Sequence, residues 1–149
     1  MTVRSGISRA LVVVVLLAIA APAAYAEDAR TARNKEIVRE FYTTVFIGRN
    51  VDAAPRFLSP GYIQHSVGIA SGLKSFMDTF RRNFARKLPP DYKREVLRIV
   101  GDDDIVVLFN RQSGTHPNGQ HEVVLQFDMF RVKNGMIVEH WDADPGSST

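Results

Sequence analysis

The dipeptide Asn134-Gly135 constrains the fold of this 149-residue chain more than any other feature, because it separates two runs that both read as β-strands, His121 to Lys133 and Met136 to Ala143. Asn-Gly favours the two-residue type I′ turn, and that turn fixes strand register. Lys133 then faces Met136, and the later pairs follow. Val132 meets Ile137, Phe130 meets Glu139, Asp128 meets Trp141 and Gln126 meets Ala143 on one face. Arg131 meets Val138, Met129 meets His140 and Phe127 meets Asp142 on the other. This assignment holds only without a bulge, which would void the register.

The rest of the chain supplies what such a hairpin packs against. Ile37, Val38, Phe41, Tyr42 and Val45 form one face of an amphipathic helix over 32–46, ended by Gly48-Arg49-Asn50. Asp52 caps a short second helix with Pro55 in its first turn, and Ser59-Pro60-Gly61 breaks the chain before a brief strand, Gly61 to Val67. A third helix opens near Ser71-Gly72, buries Leu73, Phe76, Met77, Phe80, Phe84 and Leu88, and stops at Pro89-Pro90. Tyr92 to Val100 and Ile105 to Gln112 are strands joined across Gly101 to Asp104. Three helices followed by a long antiparallel sheet predict an α+β domain with the helices on one face of the sheet.

Residues 1–26 stand apart from this domain. Arg4 and Arg9 precede an uncharged apolar run from Ala10 to Ala21 and the small-residue site Ala24-Tyr25-Ala26. The pattern predicts a secretory signal peptide cleaved after Ala26, with residues 27–149 as the mature domain, periplasmic or secreted and not held in a membrane. Without the two leader arginines, 17 Lys+Arg face 16 Asp+Glu, a net charge of +1, so the sequence pI of about 9.4 is no argument for nucleic acid. With no cysteine, stability rests on the core, extended by any dimer interface.

Polar residues in strand positions are the candidates for chemistry. Beside Trp141 and flanked by Phe130 and Val124, the Asp128 carboxyl is expected to be partly desolvated, which favours its protonated form and suits a proton shuttle. The alternative is a carboxylate that only accepts a hydrogen bond. In Tyr62-Ile63-Gln64-His65, Tyr62 and Gln64 share one face and Ile63 and His65 the other; either pair could line a cleft. No His pair or carboxylate has metal-ligand spacing, Asp102-Asp103-Asp104 lacks the further ligands of a calcium loop, and no nucleophile elbow or phosphate-binding loop occurs. Arg81, Arg82, Arg86 and Lys87 read as a solvated helix face.

The order of elements, together with Y-x-Q-H at Tyr62 to His65 and D-x-F-R-x-x-x-G-x-I-x-E-H-W-D at Asp128 to Asp142, resembles the SnoaL-like polyketide cyclase group of the nuclear-transport-factor-two-like superfamily. The resemblance spans about residues 32–143 and implies a cone-shaped α+β barrel around a cavity closed by the helices, dimerising through the outer face of the sheet. It implies aldol-cyclase or isomerase chemistry on a small hydrophobic carbonyl compound, without metal or cofactor. Asp128 matches the acid/base aspartate, with His65 as a second catalytic candidate. Tyr62, Gln64, Trp141, Phe130 and Phe80 are expected to line the substrate cavity, and His140 to lie on the outer face or at an interface. Superfamily breadth leaves two other classes open: a non-catalytic small-molecule binding protein of the periplasm, and a structural dimer module whose cavity is filled by Phe76, Phe80 and Phe84.

Overall fold

The computed structural model describes residues 27–142; residues 1–26, where a signal peptide is expected, and the chain beyond Asp142 lie outside the described residues. Helix α1, Ala29–Phe41, is capped by Asp28, whose carboxylate accepts Arg30 N–H at 2.7 Å and the Thr31 hydroxyl at 2.7 Å. It continues as a π-helical turn, Tyr42–Ile47, that buries both Tyr42 and Val45. A 3₁₀ segment, Val51–Arg56, leads into strand β1, Leu58–Gln64. Helix α2, Leu73–Phe84, is followed by β2, Lys93–Asp102, β3, Ile105–Thr115, β4, His121–Lys133, and β5, Met136–Asp142.

Helix α2 ends at Phe84, before the predicted stop at Pro89-Pro90. Arg49, itself at φ 51°, places its guanidinium on the carbonyls of Phe84 and Arg86, and so satisfies the end of the helix. Strand β1 begins earlier than expected because Ser59-Pro60-Gly61 is absorbed as a register irregularity between Leu58 and Ile63, on an edge strand where proline costs no ladder bond.

The five strands form one open sheet in the order β1-β5-β4-β3-β2. The α+β class is as expected, but the sheet is mixed: β1 runs parallel to β5, while the other pairings are antiparallel. The helices cover one face, where Val38, Phe41, Leu58, Phe76, Val106, Leu108, Phe130 and Ile137 make the core. The phenyl rings of Phe41, Phe46, Phe76 and Phe80 meet at tilted or edge-on angles with centroids 4.5–6.1 Å apart.

The β4–β5 hairpin departs from the predicted register. Asn134 (φ 52°) and Gly135 (φ 78°) form the expected left-handed turn, and Lys133 faces Met136 and Val132 faces Ile137. Arg131, however, pairs with Glu139, which leaves Val138 as an extra residue in β5. From that bulge onward the faces are exchanged: Phe130 meets His140, Met129 meets Trp141 and Asp128 meets Asp142. The expectation that Trp141 accompanies Asp128 while His140 faces outward is therefore reversed.

Candidate functional site

On the inner face of the sheet a cavity of about 210 Å³ remains between the strands and the phenylalanines of α1 and α2. Strand alternation aims Tyr62 and Gln64 of β1, His140 and Asp142 of β5, and Gln126, Asp128 and Phe130 of β4 into it, with Arg94 on β2 at the other sheet edge. Phe76 and Phe80 wall it but do not fill it, so the filled structural module is not what the chain forms.

Asp128 is 5% exposed and sits at the centre of a polar network. One carboxylate oxygen accepts Asn110 Nδ2–H at 2.8 Å; the other accepts Gln126 Nε2–H at 3.1 Å and lies 3.2 Å from His140 Nε2. His140, 7% exposed and tilted against the Phe130 ring at 4.8 Å, points Nδ1 at Gln64 Oε1, 2.6 Å away.

Donor and acceptor roles in this network follow from groups with only one option. The Ser66 backbone N–H meets Gln64 at 3.3 Å and can only donate, so the Gln64 atom there is its oxygen, and His140 Nδ1 must carry a proton to bond it. The Asp128–His140 contact therefore needs a proton of its own, on the imidazole or on the carboxyl. At the other end Arg94 Nη2 can only donate, which sets Gln112 Oε1 as acceptor, its Nε2–H toward Gln126 Oε1 at 3.2 Å, and Gln126 Nε2–H toward Asp128. Arg94, Gln112 and Gln126 thus form a chain of side chains whose N–H groups all point toward Asp128. This arrangement holds a buried carboxylate and a movable proton at one place.

Burial pushes the Tyr62 hydroxyl far above the ordinary tyrosine range, and the nearby charges of Asp128 and Asp142 add to the shift, so it remains a neutral donor through the physiological range. Asp142 is half-buried, with Oδ1 shielded and without a hydrogen-bond partner. Donor atoms of Asp128, His140 and Asp142 lie within 4.8 Å of one another, and among the described residues these three are the group that could hold a cation.

Of the sequence candidates, the structure brings together Asp128, Tyr62, Gln64, Phe130 and Phe80. His65 and Trp141 are placed elsewhere. His65 alternates outward from Gln64, stacks on Trp141 at 4.9 Å and 6°, and bonds Glu139 at 2.8 Å, while Arg131 bonds the other oxygen of Glu139 at 3.0 Å and lies over the indole at 5.5 Å. The pair belongs to an outer-face cluster that the bulge created. Sequence reasoning missed His140, Asp142, Arg94, Asn110 and Gln112 as inward groups, and put Gln126 on the Asp128 face without giving it a role. The signal for the three amides was available: polar residues at alternate positions of β3 and β4, in phase with Asp128. A larger groove of about 600 Å³, bounded by Leu88, Pro89, Tyr92, His116 and Val124, carries only the exposed His116–Glu122 pair and no buried acid.

The SnoaL-like polyketide cyclase family model matches residues 36–145. The chain belongs to the SnoaL-like polyketide cyclase family. This family assignment covers α1 from Glu36 onward, α2, the sheet and every residue of the Asp128 network. Solved structures of SnoaL-like and related proteins share the fold at low identity. A candidate SnoaL-like polyketide cyclase from Jannaschia sp. CCS1 has a TM-score of 0.66 at 19% identity, covering 79% of this chain and 89% of that one. TsrD from Streptomyces laurentii has a TM-score of 0.62 at 19% identity, over 75% of this chain and 87% of that one. An LEH-like epoxide hydrolase from M. tuberculosis has a TM-score of 0.58 at 17% identity, over 75% of this chain and 82% of that one. No curated protein matches the sequence. As a member of the SnoaL-like family, the chain shares its fold with the proteins of these solved structures.

Proposed function

We propose that this SnoaL-like protein is a cofactor-independent acid/base enzyme acting on a small hydrophobic carbonyl compound, in aldol-cyclase or isomerase fashion. The observation that carries the reading is the buried Asp128–His140 contact, which needs a proton of its own and opens into an apolar-walled cavity. Asp128 takes a proton from carbon next to the carbonyl, His140 holds or returns one, and the neutral Tyr62 hydroxyl donates to the oxygen that gains charge. Phe80 and Phe130 supply apolar wall, and Gln64 keeps His140 in the required tautomer. At about 210 Å³ the cavity falls below the roughly 300–1,000 Å³ of sites for drug-sized ligands, which favours a small substrate over a polycyclic one.

The partners and location follow as part of the same reading. The protein is exported, on the strength of the residue pattern in 1–26, and pairs with a second copy through the outer face of the sheet. That face is supported by the half-exposed Val123, Leu125, Phe127 and Val100, with Phe109 stacked on Phe127 at 4.4 Å.

Proton exchange next to the carbonyl of phenylacetone in D2O, followed by NMR, tests the chemistry. The wild-type protein should exceed the buffer rate, and Asp128→Asn should return to it while still unfolding cooperatively. Equal exchange in the variant removes the catalytic assignment, and bound ketone without exchange in the wild type identifies a binding protein instead.

A further inference from the structure

Among the described residues Arg94 is the one Lys or Arg side chain that lines the cavity, and it lies at the sheet edge opposite Tyr62 and Gln64. Its Nη2 is spent on the neutral amide of Gln112, and its guanidinium carbon lies 5.3 Å from the Phe46 ring centroid and 5.9 Å from that of Tyr42. Its Nε–H is shielded from solvent and has no hydrogen-bond partner. No carboxylate among the described residues lies within ion-pair reach of it: the nearest network acid, Asp128, is connected only through Gln112 and Gln126. A guanidinium always carries charge, and a largely covered one without a counter-ion is costly; its fork of N–H donors matches a carboxylate.

We infer that Arg94 is the anion-binding end of the cavity and that the ligand is a small oxo acid, its carboxylate on Arg94 and its oxo group toward Asp128, His140 and Tyr62. The placement of the oxo group rests on the acid/base reading of Asp128; the carboxylate subsite does not. Charge fixes the orientation. A carboxylate at the other end would meet Asp128 and Asp142, whereas at Arg94 it completes the unfilled donor and leaves the carbon between the two groups beside Asp128. Phenyl rings from Phe46, Phe76, Phe80 and Phe130 favour a planar or cyclic body between the polar ends.

Calorimetric titration of phenylpyruvate and of phenylacetone, in which a methyl group replaces the carboxylate, separates these statements. Wild-type protein should bind phenylpyruvate at least about ten-fold more tightly, Arg94→Gln should bind the two alike, and Arg94→Lys should keep part of the preference. Arg94→Lys also serves if Arg94→Gln fails to fold, because a shift in its selectivity alone decides the point. Equal binding by the wild type, binding of neither compound, or a preference that survives Arg94→Gln overturns the inference. Deuterium uptake at the methylene carbon, read above the buffer rate in the same samples, reports the acid/base function independently. Carboxylate preference without exchange keeps the Arg94 subsite and removes the catalytic reading; exchange without preference does the reverse.

Discussion

A double-mutant cycle between Asp128 and His140 tests both the bulged register and the proton-sharing pair. Asp128→Asn keeps the side-chain volume and one accepting oxygen, but turns an amide NH2 toward a neighbourhood that already contains N–H donors from Asn110 and Gln126. One buried donor is left unmatched, at a cost of about 1–3 kcal/mol. His140→Phe keeps the ring against Phe130 but removes the donor to Gln64 and the partner of a carboxylate that is 5% exposed. Removing one partner of a buried, hydrogen-bonded acid and base costs up to about 3–5 kcal/mol. In the double variant no carboxylate remains to be left uncompensated, so its cost falls short of the sum of the singles by about 1.5–3 kcal/mol. Urea unfolding of the four proteins, with unchanged m-values, measures this coupling. In the unbulged register His140 would face outward and its substitution would be independent of Asp128. Additivity within about 0.5 kcal/mol would therefore refute the reasoning.

Two further outcomes are expected. The hydrogen bond from His65, followed by that from Arg131, holds the Glu139 carboxyl below its ordinary value of 4.5. Because the folded-state value is the lower one, this contribution is present above about pH 4.5 and is lost as pH falls through the folded value. His65→Phe, which preserves the stack on Trp141, should flatten the acid limb of a stability–pH profile, and an unchanged limb would contradict the pairing. On the outer face, Leu125→Glu combined with Phe127→Lys should convert a sedimenting dimer into a monomer; wild-type protein that sediments as a monomer at micromolar concentration removes the proposed partner.

Much of the fold could be read from residue order. The helical spacings, the breakers and Asn134-Gly135 each act locally, so the α+β class and the turn itself followed from the sequence. The parallel placement of β1 against β5 did not, because it depends on where a chain returns after the whole of α2, β2, β3 and β4 has been laid down. Nor did the bulge, since Val138 is an ordinary strand residue, and only the structure shows that Ile137 before it and His140 after it are both buried. Asp128, Tyr62 and Gln64 were identifiable because they precede that slip or lie on another strand. His65 and Trp141 were misplaced for two different reasons: an undecided choice of face on β1, and a register carried one residue too far on β5. Arg94 gave no sequence signal, as a single arginine in a strand resembles any solvated one until its inward phase and its lack of a counter-ion are known.

The Val138 bulge gives β5 a property that substitutions do not reach. The segment Glu139-His140-Trp141-Asp142 holds two interleaved sets of side chains, an imidazole with a carboxylate and a carboxylate with an indole, and the local backbone count selects which set faces the ligand. Closing the bulge with no residue removed, so that Val138 faces Arg131, would present Glu139 and Trp141 to the cavity and turn His140 and Asp142 outward; deleting Val138 would instead keep Glu139 opposite Arg131 and His140 opposite Phe130. In such a hairpin, the register taken at one position works as a selector between two reactive surfaces. A gained or lost bulge just after the Asn-Gly turn, at constant length, is therefore the place to look for changed chemistry on an otherwise constant scaffold.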